Sequence, residues 1–318
     1  MTIRPWGITS QLVQPLTIAH SGEENSLSAW LISPVYLVAV PSEIAREFSA
    51  AISGPDHAVD LFGATMTIAR LSGAPIDPHA VARELDLIAE AVREQAGETT
   101  DPGPLSHAVD HELFTVRGFH GNSARFDDPA NSYLDQVLLR RTGLPIALSV
   151  VYMEIANRVG LVCDGIGYPG HFIVRCGTPD EPIYVDPFHQ GSRLDREELL
   201  ANLRSHELRG ATPESFLAAV TRRQILQRML NNLHPIFRQR RELAPWLASV
   251  EMLLCLEPWN SSLVGERGML NYRLGRPERA LEDLERYVAA GGVRSVSLGA
   301  LRLLDELRLR YGGSEELA

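Results

Sequence analysis

The sequence predicts an α+β protein. A helical N-terminal part leads into a core where a central helix packs on an antiparallel sheet, and an all-α region of helical repeats follows. Three observations carry this reading. Residues 145–159, "PIALSVVYMEIANRV", are apolar almost all round, as a helix buried on every side must be. Three short strand-like runs follow, "VCDGIGY", "HFIVRC" and "PIYVD". After "DREELLANL" the periodicity is helical to the end. Helix first and strands next is the order of an α+β domain. The expected domains are residues 1–118, 119–215 and 216–318.

The chain has 318 residues, enough for two domains of ordinary size. Its 45% hydrophobic and 22% charged content is that of a soluble globular protein. A net charge of -10 argues against general nucleic-acid binding. All 30 basic residues are arginine, so Schiff-base chemistry, a P-loop lysine and lysine amine acceptors are excluded. The three cysteines, Cys163, Cys176 and Cys255, are odd in number and widely spaced. Neither a disulfide framework nor a CxxC metal site is expected, and a reducing cytoplasm fits. The apolar run 27–40, "LSAWLISPVYLVAV", is too short for a span of ~20 residues and is interrupted by Pro34. It starts after Glu23 and Glu24, too late for a signal peptide, and reads as packed structure. No membrane, nucleic-acid partner or cofactor is expected.

From residue 42 to 118 the spacing predicts helices. "HAVDLFGATMTIARL" ends before Gly73. "DPHAVARELDLIAEAVREQAG" opens with an aspartate cap and a proline in the first turn. Ala80, Val81, Leu85, Ile88, Ala89 and Val92 form its apolar face. "ETTDPGP" is a loop, and "LSHAVDHELFTVRGF" another helix. "DDPANSYLDQVLLRRTG" reads as a loop, an Asn131 cap and a short helix stopped by Gly143. Near the end, "GMLNYRLGRPERALEDLERY" places Gly268, Tyr272, Gly275, Ala280, Leu284 and Tyr287 at the spacing of a tetratricopeptide repeat. His234, Trp246 and Leu253 stand 34 residues before three of these positions, and Pro258 closes the earlier unit. Two repeats are expected, 227–260 and 261–294, with a closing helix over 295–311. Two repeats alone are marginal, so they should pack on the α+β core.

The candidate site lies in the hairpin of "HFIVRC" and "PIYVD". A turn centred on Thr178 and Pro179 puts residues whose numbers sum to 357 opposite each other, and His171 and Asp186 do. They would meet on one face at the open end, with Phe172, Val174, Ile183 and Val185 on the other. A carboxylate beside an imidazole fixes its tautomer and stabilises its charged form, which makes a general base. A purely structural hydrogen bond is the competing reading.

The stretches "GNSARFDDPANSYLDQVLLRRTGLPIALSVVYMEIANRVGL", "GIGYPGHFIVRC" and "VDPFHQG" resemble the SirB-type bacterial proteins, and so do "RQILQRMLNNL" and "ERGMLNYRLGRPERALEDLERYV". That family carries a transglutaminase-like domain followed by tetratricopeptide repeats, and the resemblance covers residues 42–311. It implies a papain-like or transglutaminase-like fold. In active relatives a nucleophilic cysteine opens the central helix, a strand histidine activates it, and an aspartate on the next strand orients the histidine. His171 and Asp186 match the last two roles. The cysteine's place falls near Pro145, within "LPIAL", where no thiol stands.

A substitute nucleophile would be Ser149, about one turn inside the helix; the alternative is a small residue packing in a buried helix. Cys163 and Cys176 read as buried core thiols. A pocket between the helix start and the His171–Asp186 pair would be lined by Asn122, Asn131, Pro145, Ile146, Tyr168 and His189. Asn122 and Asn131 could instead cap turns, and His189 could sit in water. His107 and His111 stand one helical turn apart without an evident third ligand, so no metal site is assigned. Residues 217–245 hold six arginines against Glu242, either a solvated face or a dock for an acidic partner. The expected function is a non-catalytic protein that binds a protein or peptide partner. The alternative is a non-cysteine hydrolase or acyl transferase using His171 and Asp186.

Overall fold

A computed structural model describes residues 41–178, 180–204, 211–291 and 297–311. The apolar run 27–40 and Pro179 lie outside the described residues. The first helices are α1 (Pro41–Ala51), α2 (Leu61–Ala69) and α3 (Pro78–Ala96). Asp60 caps α2 through Gly63 N, and Asp77 caps α3 through His79 N and Ala80 N. On α3 the buried residues are Leu85, Ile88, Ala89 and Val92; Ala80 and Val81 lie outside that set. The next helix, α4 (Pro102–Asp110), starts inside the predicted loop because Asp101 caps it and Pro102 fits its first turn. It runs into a π-helical turn, His111–Val116.

Two short strands, β1 (His120–Gly121) and β2 (Thr142–Gly143), pair in parallel around α5 (Leu134–Arg140). Helix α5 differs from expectation at both ends. Tyr133, not Asn131, is its N-cap, and Arg141 with φ 56° ends it before Gly143 is reached. Asn131 is occupied elsewhere: its side-chain oxygen accepts from Asn122 Nδ2 at 3.0 Å, and its amide donates to the Arg125 carbonyl.

The central helix is α6 (Pro145–Arg158), with Ile146–Tyr152, Ile155 and Ala156 buried. Strands β3 (Cys163–Ile166), β4 (Ile173–Gly177), β5 (Pro182–Asp186) and β6 (Ser192–Leu194) form an antiparallel sheet in that order. Phe172, Val174, Cys176 and Val185 pack into the main core with α6. Ile173 and Tyr184 point into a second cluster with Leu199, Leu200 and Leu203 of α7 (Arg196–Arg204). A buried polar network ties layers together: the Tyr152 hydroxyl donates to Asp110 Oδ1 at 2.9 Å, and Arg193 of β6 pairs with the same carboxylate.

The hairpin register differs from the predicted one. Val174 lies opposite Val185 and Cys176 opposite Ile183, so partner numbers sum to 359, not 357. Gly177 pairs with Pro182, which leaves four residues in the turn instead of the shorter one assumed. The shift is even, so each side chain keeps its face. His171 precedes β4 and reaches Asp186 diagonally, not from directly across.

Helices α8 (Arg222–Arg240), α9 (Leu243–Leu256), α10 (Ser261–Arg273), α11 (Pro277–Gly291) and α12 (Leu298–Tyr311) complete the chain. Their leading pair shares the main core, which holds Leu226, Met229 and Leu233 beside Leu148 and Val151. Gly265 and Gly268 let α10 approach α11: a Cβ on Gly268 would stand 3.1 Å from Asp283 and Leu284. Trp246 Nε1 and His234 Nε2 both meet Glu266 Oε1, at 2.7 and 3.0 Å, linking α8, α9 and α10.

Three arginines of 217–245 make contacts within the chain. Arg222 reaches the carbonyls of His57 and Val59, and Arg223 those of Ile52 and Gly54. Arg228 stands over the Phe172 ring at 5.8 Å. The Asp56 carboxylate accepts from the backbone N–H of Arg222 and Arg223, satisfying two donors that α8 leaves open at its start. Asp56→Ala should therefore cost about 1 kcal/mol, the usual worth of such a cap. Chemical denaturation of the two proteins measures it, and equal midpoints would mean that α8 is held without Asp56.

Candidate functional site

The end of β5 builds the site. Asp186 is the N-cap of the turn Pro187–His189, and its Oδ1 accepts from Phe188 N at 3.0 Å and His189 N at 3.3 Å. Pro187 suits the first position of such a turn, since it has no N–H to leave unpaired. The turn brings the His189 ring back onto its own cap, with Nδ1 2.7 Å from Asp186 Oδ2. From just before the neighbouring strand, His171 Nε2 lies 2.9 Å from Oδ1. One carboxylate is thus shared by two imidazoles and two backbone amides.

The aromatic side chain beside both rings locates this cluster. Phe188 stands edge-on to His171 and His189, with centroids 6.0 and 5.2 Å away, and Phe126 stands edge-on to Phe188. A Cβ on Gly121 would lie 2.4 Å from the Phe188 ring, so only glycine permits the contact. Gly121 pairs with Gly143, two residues before Pro145. The Pro187–His189 turn also packs against α6. The cluster therefore sits by the N-terminal end of the central helix.

Asp186 is 1% exposed. Burial alone pushes its carboxyl up, but the bonds from His171 and His189 outweigh that and hold it at about 2. The reciprocal effect raises His189 above its ordinary value: the bond to Asp186 outweighs its partial burial.

The other expected residues are placed as follows. Ser149 is fully buried, and its hydroxyl donates to the Phe172 carbonyl at 3.5 Å, next to His171 in the chain. Asn131 is also fully buried and holds Asn122 and the Arg125 carbonyl. Asn122 also accepts from Arg125 N. Ile146 is buried and Pro145 half-buried at the helix start. Tyr168 donates to the Leu199 carbonyl at 3.0 Å and packs in the second cluster. His107 and His111 are exposed, and His111 Nδ1 meets Gln95 Oε1 at 3.2 Å.

The thiols are elsewhere. Cys163 and Cys176 are direct partners across β3 and β4, a pairing the sequence reading missed because their numbers give no sign of the register. Burial, then the Cys176 neighbour, pushes the Cys163 thiol far up, and burial also raises Cys255. Such thiols are poor nucleophiles. Phe188 and Phe126 were missed too, although "DPF" stood in the quoted motif. A cavity of about 480 Å³ is lined by Met153, Glu154, Asn157, Cys163 and Arg222, toward the other end of α6.

A pH dependence follows from His189. Its raised pKa stabilises the fold fully below the ordinary histidine range near 6.5, and this contribution is lost as pH rises through the folded value. The stability gap between wild type and His189→Gln, measured by denaturation in EDTA, should therefore be wider at about pH 5.5 than at about pH 9. A gap independent of pH would mean that the carboxylate does not hold the charged ring.

Comparison with known proteins agrees with the geometry. Residues 79–231 match the model of the transglutaminase-like superfamily, and residues 233–304 that of a tetratricopeptide repeat. A UPF0162 protein of Xylella fastidiosa is 34% identical over 238 residues, 73% of this chain and 84% of that protein. One of Pseudomonas aeruginosa is 30% identical over 233 residues, 71% of this chain and 83% of its own. Human F-box only protein 21 is 32% identical over 134 residues, 40% of this chain and 20% of that protein. With a transglutaminase-like core, repeats behind it and about a third of positions shared over most of both chains, the protein belongs to the UPF0162 family.

Proposed function

We propose that this protein is a non-catalytic, SirB-type member of the transglutaminase-like superfamily that binds a protein or peptide partner. One observation carries the reading. The central helix opens with Pro145, Ile146, Ala147 and Leu148, which offer no nucleophile to the His171–Asp186 pair beside them. Ser149 is buried and committed to a backbone carbonyl, burial holds the Cys163 and Cys255 thiols in their neutral form, and Cys176 pairs with Cys163 in the sheet. A base with nothing to activate contributes structure, not turnover. The tetratricopeptide repeats support a role in protein interaction, as a matter of architecture. Among the described residues no helix is long and apolar enough to cross a membrane. A cytoplasmic location belongs to the same proposal.

The second reading, a hydrolase or acyl transferase that uses water, is favoured by the intact imidazole–carboxylate pair, which has the parts of a general base. His171→Ala separates the two. If the pair is structural, the variant loses about 1–3 kcal/mol, because a buried carboxylate loses a donor. Wild type and variant should then show the same background on activated acyl esters. A variant that melts normally and loses ester hydrolysis would falsify the non-catalytic reading. Single replacement of Cys163, Cys176 or Cys255 by alanine should change melting temperature only. Loss of hydrolysis in a folded Cys163→Ala protein would also overturn it.

A further inference from the structure

We infer that His171, Asp186 and His189 form a binding site for a divalent transition-metal ion of the Zn²⁺ class. This goes beyond partner binding and does not rest on it. The donor atoms, one ring nitrogen from each histidine and a carboxylate oxygen, lie within 4.8 Å of one another. Two imidazoles and one carboxylate suit zinc, cobalt or nickel. Magnesium and calcium prefer all-oxygen shells. Zinc bonds of about 2.0–2.2 Å bring neighbouring donors to about 3.3 Å. The contacts of 2.9 and 2.7 Å to Asp186 need to open slightly, and the two nitrogens to draw together.

The surroundings favour this. Two ligands come from one short turn, three residues apart, so their spacing is set locally. The Asp186 carboxylate is already oriented by the amides of Phe188 and His189, the kind of outer support that metal ligands have. Phe188 and Phe126 wall one side. His171 and Asp186 are 7% and 1% exposed at the side chain, but His189 is 46% exposed. The site is closed behind and open at His189, which leaves a coordination position for water or for a ligand of the ion.

The test uses the full chain, stripped with EDTA and titrated with ZnCl₂ by calorimetry. One equivalent should bind and raise the melting temperature. His189→Ala lies on a half-exposed turn and should fold while losing at least tenfold in affinity. His171→Ala should lose as much. The double variant Cys163→Ser/Cys176→Ser and the double variant His107→Ala/His111→Ala should bind as wild type. With CoCl₂ the near-ultraviolet spectrum should lack thiolate charge transfer, and MgCl₂ should not compete. No saturable zinc binding, binding unchanged in a folded His189→Ala protein, or a thiolate signature with cobalt would each overturn the inference.

Discussion

A single buried carboxylate organises the middle of this protein. Asp186 ends β5 with almost no access to water, and an ion there must be surrounded by donors or the fold loses several kcal/mol. The chain supplies those donors from three places: the amides of the following turn, the His189 ring on that turn, and His171 just before the adjacent strand. Satisfying the carboxylate forces the chain to turn at Pro187 and aims Phe188 at Gly121. Gly121 is paired with Gly143, so this arrangement also sets the entry into the central helix. The same bonds hold the Asp186 carboxyl below its ordinary value against the upward push of burial.

The central helix carries the rest. Its buried face spans nearly the whole circumference, and it meets the sheet, α3, α4, α5 and α8. The repeats are fastened to this body. Helix α8, along which the transglutaminase-like match ends and the repeat match begins, places Leu226, Met229 and Leu233 in the common core, and its Arg222 and Arg223 cap backbone carbonyls of the segment between α1 and α2. An arginine used this way turns part of its charge to the chain's own backbone. Two repeats gain by this arrangement the neighbour that a longer array would provide.

What the imidazole–carboxylate pair faces decides what it can do. In a cysteine enzyme the helix N-terminus presents a thiol to the base. Here it presents proline and aliphatic side chains, while the cysteines lie in the sheet and on α9. The pair has physical work in any case, because removing either member exposes an unsatisfied buried group. His189 adds a second imidazole to the same carboxylate, and that changes the chemistry available. One ring and one carboxylate make a base, whereas two rings converging on a carboxylate make a donor set.

Local rules made much of this legible in the residues alone. Asp77 announced its helix, because an aspartate just before a helical run can cap its first turn, whereas Asp60, read as part of a helix, proved to be the cap of α2. The all-round apolarity of 145–159 announced a central helix, and alternation in "HFIVRC" and "PIYVD" put His171 and Asp186 on a common face. Parity survives an even shift of register, so that inference held although the register itself was two residues away. What the residues could not reveal needed the tertiary structure. The turn length chose the register, and the register put Cys163 against Cys176. Packing took Asn131 away from the helix it was expected to cap. Arg222 and Arg223 found partners some 160–170 residues earlier in the chain. Each of these depends on groups distant in sequence, whose meeting is decided by how helices and sheet pack together, and no local pattern of residue types records that choice.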